Sequence, residues 1–164
     1  MTDLYAATRE NVQLAVLREG RALCLERLRG PRSVPIVARA GAELPLHATG
    51  VGKVLLAFAD PARREEIISA GLSAHTARTV TDPGRLRSEL AEVRRRGYAI
   101  TREEMTAGSC SAAAPVRDGS GRVIAALSLV ARSGAADPRR LAPAVLAAAR
   151  ALSRDVAEAW ADAP

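Results

Sequence analysis

Hydrophobic and polar residues alternate with a period of two near the start of the chain. The run VQLAVLR, residues 12–18, places apolar side chains at every second position, and RALCLERL, residues 21–28, repeats the pattern after Gly20. A period of two is typical of a half-buried strand, and a glycine between two such runs favours a hairpin. The pattern therefore predicts two antiparallel strands.

A third extended segment is predicted over SVPIVAR, residues 33–39. It contains Pro35, which has no N–H to donate to a neighbouring strand, so we expect it at the sheet edge or at a strand entrance. The first third of the chain is thus predicted to be a small antiparallel sheet.

The period then changes to that of helices. Residues 50–59, GVGKVLLAFA, space apolar side chains by three and four, which predicts an amphipathic helix ending near Asp60. Residues 61–71 form a second short helix that stops at its glycine. Residues 81–98 begin with a capping residue and a proline and reach Gly97, which are typical signals of a third helix.

Strand patterns return over residues 98–104, 110–118 and 122–132, with a turn at 118–121. The last segment, residues 137–160, spaces apolar residues by three and four and predicts a long amphipathic helix. Because strand blocks flank a helical block, the predicted class is α+β with a mostly antiparallel sheet. The length of 164 residues fits a single domain, residues 1–164.

Composition and charge disfavour several classes of function. The net charge is +6, but the arginines are scattered and the chain has few aromatic side chains to stack on bases. Direct binding of nucleic acid by this chain is therefore disfavoured. No apolar run of ~18 residues and no signal-peptide pattern exists, which predicts no membrane association and a cytoplasmic location. Cys24 and Cys110 lack ligand-spaced neighbours and are predicted to be free thiols.

The segment LPLHATGVGKVLLAFAD, residues 44–60, contains the only lysine of the chain, Lys53. A phosphate-binding loop requires a glycine where His47 stands and a serine or threonine where Val54 stands. The dinucleotide fingerprint fails as well, because Leu55 occupies its third glycine position. The sequence therefore argues against a nucleotide site.

Two interpretations of this segment remain. Residues 49–52 could direct helix N-terminal N–H groups at a small anion, or Thr49 could simply cap a helix whose glycines allow close packing. Lys53 opposes the helix dipole by ~0.3–1 kcal/mol unless a carboxylate compensates it. Glu103 and Glu104 are the candidate partners.

Catalytic and metal interpretations have little support. Cys110 or Ser111 could be paired with His47 as nucleophile and base, but no third residue that would orient the base stands out. His47 and His75 are too few for a metal centre. A binding domain without catalytic residues, metal or cofactor is the favoured class.

Four blocks stand in a fixed order: LPLHATGVGKVLLAF, RTVTDPGRLRSELAEVRRRGYAITREE, GSCSAAAPVRDGSGRVIAALSLV and the C-terminal amphipathic helix. Together they resemble the effector-binding domain of the IclR family of bacterial transcriptional regulators over nearly the whole chain. The resemblance implies a GAF-like fold, a curved antiparallel sheet flanked by helices. It also implies an N-terminal winged helix-turn-helix, and nothing before Tyr5 could be that module.

The resemblance further implies an effector pocket between the loop before the GVGK helix and the central strands. Its expected residues are Ile36, Leu44, Thr49, Gly50, Val51, Gly52, Thr101, Met105, Ser111, Ser128 and Val130. Thr101 replaces a frequent acid of the family, and Val130 replaces a frequent serine. The pocket is therefore expected to be partly apolar, which favours an aromatic or short aliphatic acid.

The expected partners are this small organic acid, further copies of the chain as homodimer or homotetramer, and promoter DNA through the missing N-terminal domain alone. Effector binding would change the arrangement of subunits and so DNA binding. Two alternatives remain open from the residues: a GAF-like sensor of another signalling protein, and a small metabolite-converting enzyme.

Overall fold

The computed structural model describes residues 1–31, 34–36 and 38–161. Along the chain the helices and strands are α1 Thr2–Thr8, β1 Asn11–Arg18, β2 Arg21–Leu28, β3 Glu43–Leu44, α2 Gly50–Ala57, α3 Pro61–Ser69, α4 Pro83–Arg96, β4 Ala99–Arg102, β5 Ser109–Arg117, β6 Val123–Arg132 and α5 Pro138–Ala161. The predicted α+β class is confirmed.

The six strands form one antiparallel sheet in the order β3-β2-β1-β6-β5-β4. The hairpin β1–β2 and the meander β4–β5–β6 meet where β1 pairs with β6. This pairing joins the N-terminal and C-terminal thirds of the chain, which the sequence placed in separate strand blocks. The helical block lies between them in sequence and covers one face of the sheet.

Helices cover both faces. On one face α2, α3 and α4 pack against the alanines of the sheet to form the first core, which includes Leu56, Ile68 and Leu90. On the other face α5 and α1 pack against Leu127 and Leu129 to form the second core. In the described part of the chain, no helix is both long and apolar enough to cross a membrane.

The helix signals in the sequence act as predicted. The carboxylate of Asp82 accepts the N–H of Arg85 at 2.6 Å, Pro83 begins α4, and Gly97 ends it at φ 79°. At α3 the Asp60 carboxylate accepts the N–H groups of Ala62 and Arg63. Each cap satisfies amides that the helix leaves without an internal partner.

The predicted third strand is wrong for the residues that the structure describes. Residues 34–36 and 38–39 are not in a strand, while Ser33 and Val37 lie outside the described residues. Pro35 has no N–H to offer, and side chains rather than a strand hold this segment, as shown below. The strand that pairs with β2 is instead the two-residue β3.

For two helices the observed pattern of buried residues differs from the predicted one. Every residue of α2 is buried, so α2 is a core helix rather than an amphipathic surface helix. In α5 the buried residues are Pro138, Ala142, Val145 and Ala149, whereas Ala159, an apolar residue of the predicted amphipathic segment, is exposed. No residue of α5 after Ala149 is buried, which explains why a continuous stripe overestimates the contact with the sheet.

Candidate functional site

The face of the sheet that meets α2 carries two rows of small and polar side chains. Cross-strand pairing places Thr101, Ser111, Val130 and Asn11 in one row. The adjacent row consists of Ala99, Ala113, Ser128 and Gln13. Because the side chains of a strand alternate between faces, these positions share one side of the sheet. Polar groups therefore line the sheet at the N-terminus of α2.

The first turn of α2 lies very close to this face. Thr49 caps the helix, since its hydroxyl oxygen accepts the N–H of Gly52 at 3.1 Å. A Cβ on Gly50 would lie 2.6 Å from the Ser111 hydroxyl oxygen, and one on Gly52 would lie 2.6 Å from the Leu46 backbone. The glycines thus permit close packing, as the capping interpretation of the sequence expected.

A cavity remains between the α2 N-terminus, the polar rows and the loops after β2 and β4. Nine of the eleven predicted pocket residues line it: Ile36, Leu44, Thr49, Gly50, Thr101, Met105, Ser111, Ser128 and Val130. Their role in ligand binding stays a prediction. The other two do not line it: Val51 is buried in the first core and Gly52 faces the backbone of Leu46. Both residues therefore lie outside the cavity lining.

Five further residues line the cavity that the sequence did not indicate: Gln13, Ala38, Ala48, Thr106 and Ser109. The sequence contained a signal for Gln13, because it is a polar residue at a strand position that is covered by a helix, where an apolar residue is expected. Thr106 and Ser109 belong to the connection between β4 and β5, whose path no periodicity predicts. Ala38 and Ala48 carry no chemical signal.

The polar groups of the cavity are neutral. The hydroxyl oxygens of Thr101 and Ser111 lie 2.6 Å apart, so one hydroxyl donates to the other. The accepting hydroxyl retains its own proton, which it can donate to a ligand oxygen. The Ser128 hydroxyl donates to the Gln13 side-chain oxygen at 3.4 Å, which leaves the Gln13 amide N–H groups as donors. Among the described residues that line the cavity, none is charged.

The cavity is contracted. Its volume is about 40 Å³, far below the ~300–1,000 Å³ of typical small-molecule sites. This is room for about three water molecules. A ligand with an aromatic ring therefore requires some of the wall to move outwards.

Two side chains hold one wall in place. The side-chain amide of Asn11 donates to the carbonyl of Val34 at 3.1 Å, and the guanidinium of Arg27 donates to the carbonyl of Ala38 at 2.6 Å. Arg27 also donates to the Asn11 side-chain oxygen at 3.3 Å. These bonds take the place of strand pairing and bring Ile36 to the cavity.

Lys53 forms a buried ion-pair cluster beside the opposite wall. Its ammonium donates to both carboxylate oxygens of Glu104, at 2.8 and 2.6 Å, and to Glu89 of α4 at 2.6 Å. The side chain of Lys53 is 1% exposed. Glu104 was a predicted partner, whereas Glu103 pairs instead with Arg78 at 3.8 Å. Glu89 was missed, because sequence distance gives no indication that α4 reaches α2.

Burial raises the pKa of Glu104 above its ordinary value of 4.5, and the charge of Lys53 offsets part of that increase. The backbone around this carboxylate is also fixed. The hydroxyl of Thr79 donates to the Glu104 carbonyl and that of Thr76 to the Glu103 carbonyl, both at 2.6 Å. Met105, the next residue, lines the cavity. The cluster thus connects α2, α4 and one cavity wall.

The catalytic alternative gains no support from the geometry. His47 makes a hydrogen bond of 2.8 Å with the Ser73 carbonyl and faces His75 in a separate recess, whereas Ser111 bonds Thr101. Burial lowers the pKa of His47. In the described ranges, no group of three His, Cys, Asp or Glu side chains could hold a metal.

Both cysteines are free and buried, as predicted, and burial raises the pKa of the Cys24 and Cys110 thiols. A raised thiol pKa disfavours the reactive thiolate. Neither cysteine therefore has the environment of a nucleophile.

A neutral cavity on a sheet, with no catalytic constellation beside it among the described residues, is typical of a ligand-binding domain. Residues 1–157 match the family described as bacterial transcriptional regulator IclR, C-terminal. The chain belongs to this family and corresponds to its C-terminal, effector-binding domain, which confirms the resemblance inferred from the sequence.

Individual relatives agree with this assignment. The glycerol operon regulatory protein of Streptomyces coelicolor is 37% identical over 94% of this chain and 62% of its own length. A crystal structure of an IclR homolog from Microbacterium hydrocarbonoxydans complexed with 4-hydroxybenzoate has a TM-score of 0.88 and 38% identity, covering 97% of this chain and 65% of that one. The C-terminal domain of Escherichia coli KdgR has a TM-score of 0.84 and 30% identity, covering 96% and 93%.

The chain thus spans about three-fifths of the first of these regulators. The named curated relatives are transcription regulators rather than enzymes. The enzyme alternative is accordingly set aside.

Proposed function

We propose that residues 1–164 form one effector-sensing domain whose cavity binds a small organic acid with an aromatic or short aliphatic body. The observation that carries this proposal is the Thr101–Ser111 hydroxyl pair, which lies in an otherwise neutral cavity beside the N-terminus of α2. Hydroxyl groups and helix N-terminal amides are donors suited to a carboxylate.

The remaining lining suits the body of such an acid. Ile36, Leu44, Met105 and Val130 offer apolar surface on several sides of the hydroxyl pair. Gln13 and Ser128 can meet a second polar group at the other end. The 4-hydroxybenzoate in the Microbacterium relative supports an aromatic acid with a distal hydroxyl as a candidate.

Binding is coupled to a change of shape, because the closed cavity is smaller than such a ligand. The outward movement involves the wall at Ile36 and the wall at Met105. The second wall is continuous with Glu104 and, through Lys53, with α4. A ligand that prefers the widened state shifts the population towards it and moves these elements together.

In the longer protein, this shift would alter how subunits are arranged in a homodimer or homotetramer and so how DNA-binding domains at the N-terminus meet promoter DNA. Promoter DNA is a partner only through those N-terminal domains. The proposed location is the cytoplasm, where such regulators meet both metabolites and DNA. The match to a regulator over three-fifths of its length supports this separation of effector binding from DNA binding.

The test is a thermal-shift and calorimetric titration with 4-hydroxybenzoate, benzoate and short aliphatic acids. We expect at least one acid to raise the melting temperature, since a ligand that binds only the native state stabilises it. The double variant Thr101→Val/Ser111→Ala should weaken binding by about tenfold or more, because it removes charge-assisted hydrogen bonds.

The matched control is Ser88→Ala, which removes an exposed hydroxyl from α4. This variant should bind the acid like the parent chain. A response to sugars or amines with none to the acids would contradict the proposed ligand class, and equal binding by the double variant would contradict the proposed contacts.

A further inference from the structure

A second recess lies at the margin of the sheet, where β5 continues past its pairing with β4. It runs between α5, the end of β5 and the junction of α4 with β4, and we call it the outer groove. Its floor is apolar and is formed by Pro115, Leu146 and Ala149. Its volume is about 460 Å³, within the ~300–1,000 Å³ typical of small-molecule sites. On the same measure it is much larger than the effector cavity.

Three arginines surround this floor: Arg117, Arg150 and Arg154. No acidic side chain lines the groove among the residues that the structure describes. Arg150 and Arg154 are four positions apart on α5 and therefore on neighbouring turns of one face, where like charges repel. The groove thus concentrates positive charge.

Some arginines elsewhere on the surface form ion pairs within the chain. Arg87 pairs with Glu65 at 2.7 Å, Arg95 with Glu92 at 2.6 Å, and Arg102 with Asp137 at 2.7 Å. Neither Arg150 nor Arg154 forms an ion pair with a described residue. Their charges are consequently available to a partner outside the chain.

The third arginine, Arg117, is the last residue of β5 and is held by contacts within the fold. The backbone N–H of Arg117 donates to the Ser153 hydroxyl at 2.8 Å, which ties β5 to α5. The Arg117 guanidinium donates to the Gly121 carbonyl at 2.8 Å and lies 4.8 Å from the centre of the Phe58 ring. Arg117 is therefore held in place beside Arg150 and Arg154 of α5, which gives the groove one fixed wall.

We infer that the outer groove is a second binding site, for an organic anion with an aliphatic body such as a medium-chain carboxylate. The chain of the ligand would lie on Pro115, Leu146 and Ala149, and its carboxylate would meet the guanidinium groups of Arg150 and Arg154. Arginine is suited to this contact because its planar fork matches a carboxylate. The site is independent of the proposed effector cavity.

Octanoate is the probe, and octanol of the same chain length is the neutral control. Titration of the 164-residue chain is followed by amide chemical shifts in heteronuclear NMR spectra. We expect saturable shifts at Gly97 and Ser153, which line the groove, without shifts of the same midpoint at Gly50 and Ser111, which belong to the cavity. Shifts confined to the cavity would overturn the inference, while leaving the proposed function standing.

The variant Arg150→Gln/Arg154→Gln should weaken octanoate binding by about fivefold, as expected for two exposed charge contacts. The matched control Arg139→Gln/Arg140→Gln removes the same charge from the same helix outside the groove. The inference is overturned if both double variants weaken binding equally, if neither does, or if octanol binds as tightly as octanoate.

Discussion

The two faces of the sheet carry different side chains for different purposes. Towards α2 the paired positions hold alanine, serine, threonine and glutamine, which allow a helix with two glycines to approach and leave polar groups at its N-terminus. Towards α5 they hold larger aliphatic residues such as Val12, Leu127 and Leu129. One set of strands therefore supports a binding cavity on one side and an apolar core on the other.

The faces also differ in how completely they are covered. The core on the α2 side has 19 buried residues and four partly buried hydrophobic neighbours, whereas the α5 side has 11 of each. The α2 side is thus the more fully covered, and it contains an ion pair and a cavity. More of the α5 side is only partly buried, and the outer groove lies at its margin. Burying unmatched polar groups is costly, which favours a selective cavity on the α2 side.

The largest expected effect is at the buried charge of the α2 side. Lys53→Met leaves the carboxylate of Glu104 buried without its cation, so the free energy of unfolding should fall by about 3–5 kcal/mol. Urea denaturation measures this change. The control Arg85→Met removes the cation of an exposed pair with Glu89, which should cost only about 0–1 kcal/mol.

The double variant Lys53→Met/Glu104→Met should recover much of the stability lost by Lys53→Met, because an apolar pair of similar volume replaces the ion pair. If Lys53→Met lowers the free energy of unfolding no more than Arg85→Met does, the ion-pair cluster does not stabilise the α2 side as proposed.

On the α5 side the informative substitution removes only apolar contacts. Leu127→Ala removes a fully buried side chain and should reduce the free energy of unfolding by about 2–5 kcal/mol. Because Leu127 faces away from the cavity, the affinity for a cavity ligand such as 4-hydroxybenzoate should not change at temperatures where the variant is folded. Denaturant unfolding and calorimetry measure the two quantities.

The control for this variant is Leu25→Ala, since Leu25 is 47% exposed. It should change stability by about 0.5 kcal/mol or less. Loss of ligand affinity in the Leu127 variant would mean that the two faces are coupled rather than separate.

A smaller effect is expected at the close approach of α2 to the sheet. Gly50→Ala places a Cβ 2.6 Å from the Ser111 hydroxyl oxygen, and such overpacking costs about 1–3 kcal/mol. Gly50→Ala/Ser111→Ala should restore stability but not ligand binding, since the hydroxyl is lost. Gly134→Ala is the control, because a Cβ there meets no atom within 4 Å. Equal stability of the Gly50 and Gly134 variants would show that α2 has room to move.

Local patterns predicted most of the secondary structure and much of the cavity. The cap of α4 and the alternation in β1 and β2 depend on nearby residues, so the sequence displays them directly. The family resemblance indicated nine lining residues because the motif around Thr49 and Ser111 keeps its place along the chain. Their contact across the sheet follows from strand pairing, which no single segment reveals.

The failures have a common physical cause. Residues 33–39 look like a strand, but the side chains of Asn11 and Arg27 hold the described part of this segment at its carbonyls. Lys53 opposes the dipole of α2, and one of the two carboxylates that compensate it, Glu89, comes from α4, a contact that the sequence did not indicate. In both cases a long-range polar contact overrides a local preference, and local patterns contain no information about it.

The smallest expected effect concerns pH. Because the folded pKa of Glu104 is raised, its contribution to stability is fully present below the ordinary pKa of 4.5 and is lost as pH rises through the folded value. Glu104→Gln mimics the protonated form, so its stability relative to the parent chain should improve as pH rises across this window. Exposed Glu92 gives the opposite sign, since the hydrogen bond from Arg95 lowers its pKa. Glu92→Gln should therefore lose relative stability as pH rises. If urea unfolding from pH 4 to 8 gives both variants the same sign, the buried α2 side and the exposed surface do not differ in the way that the structure indicates.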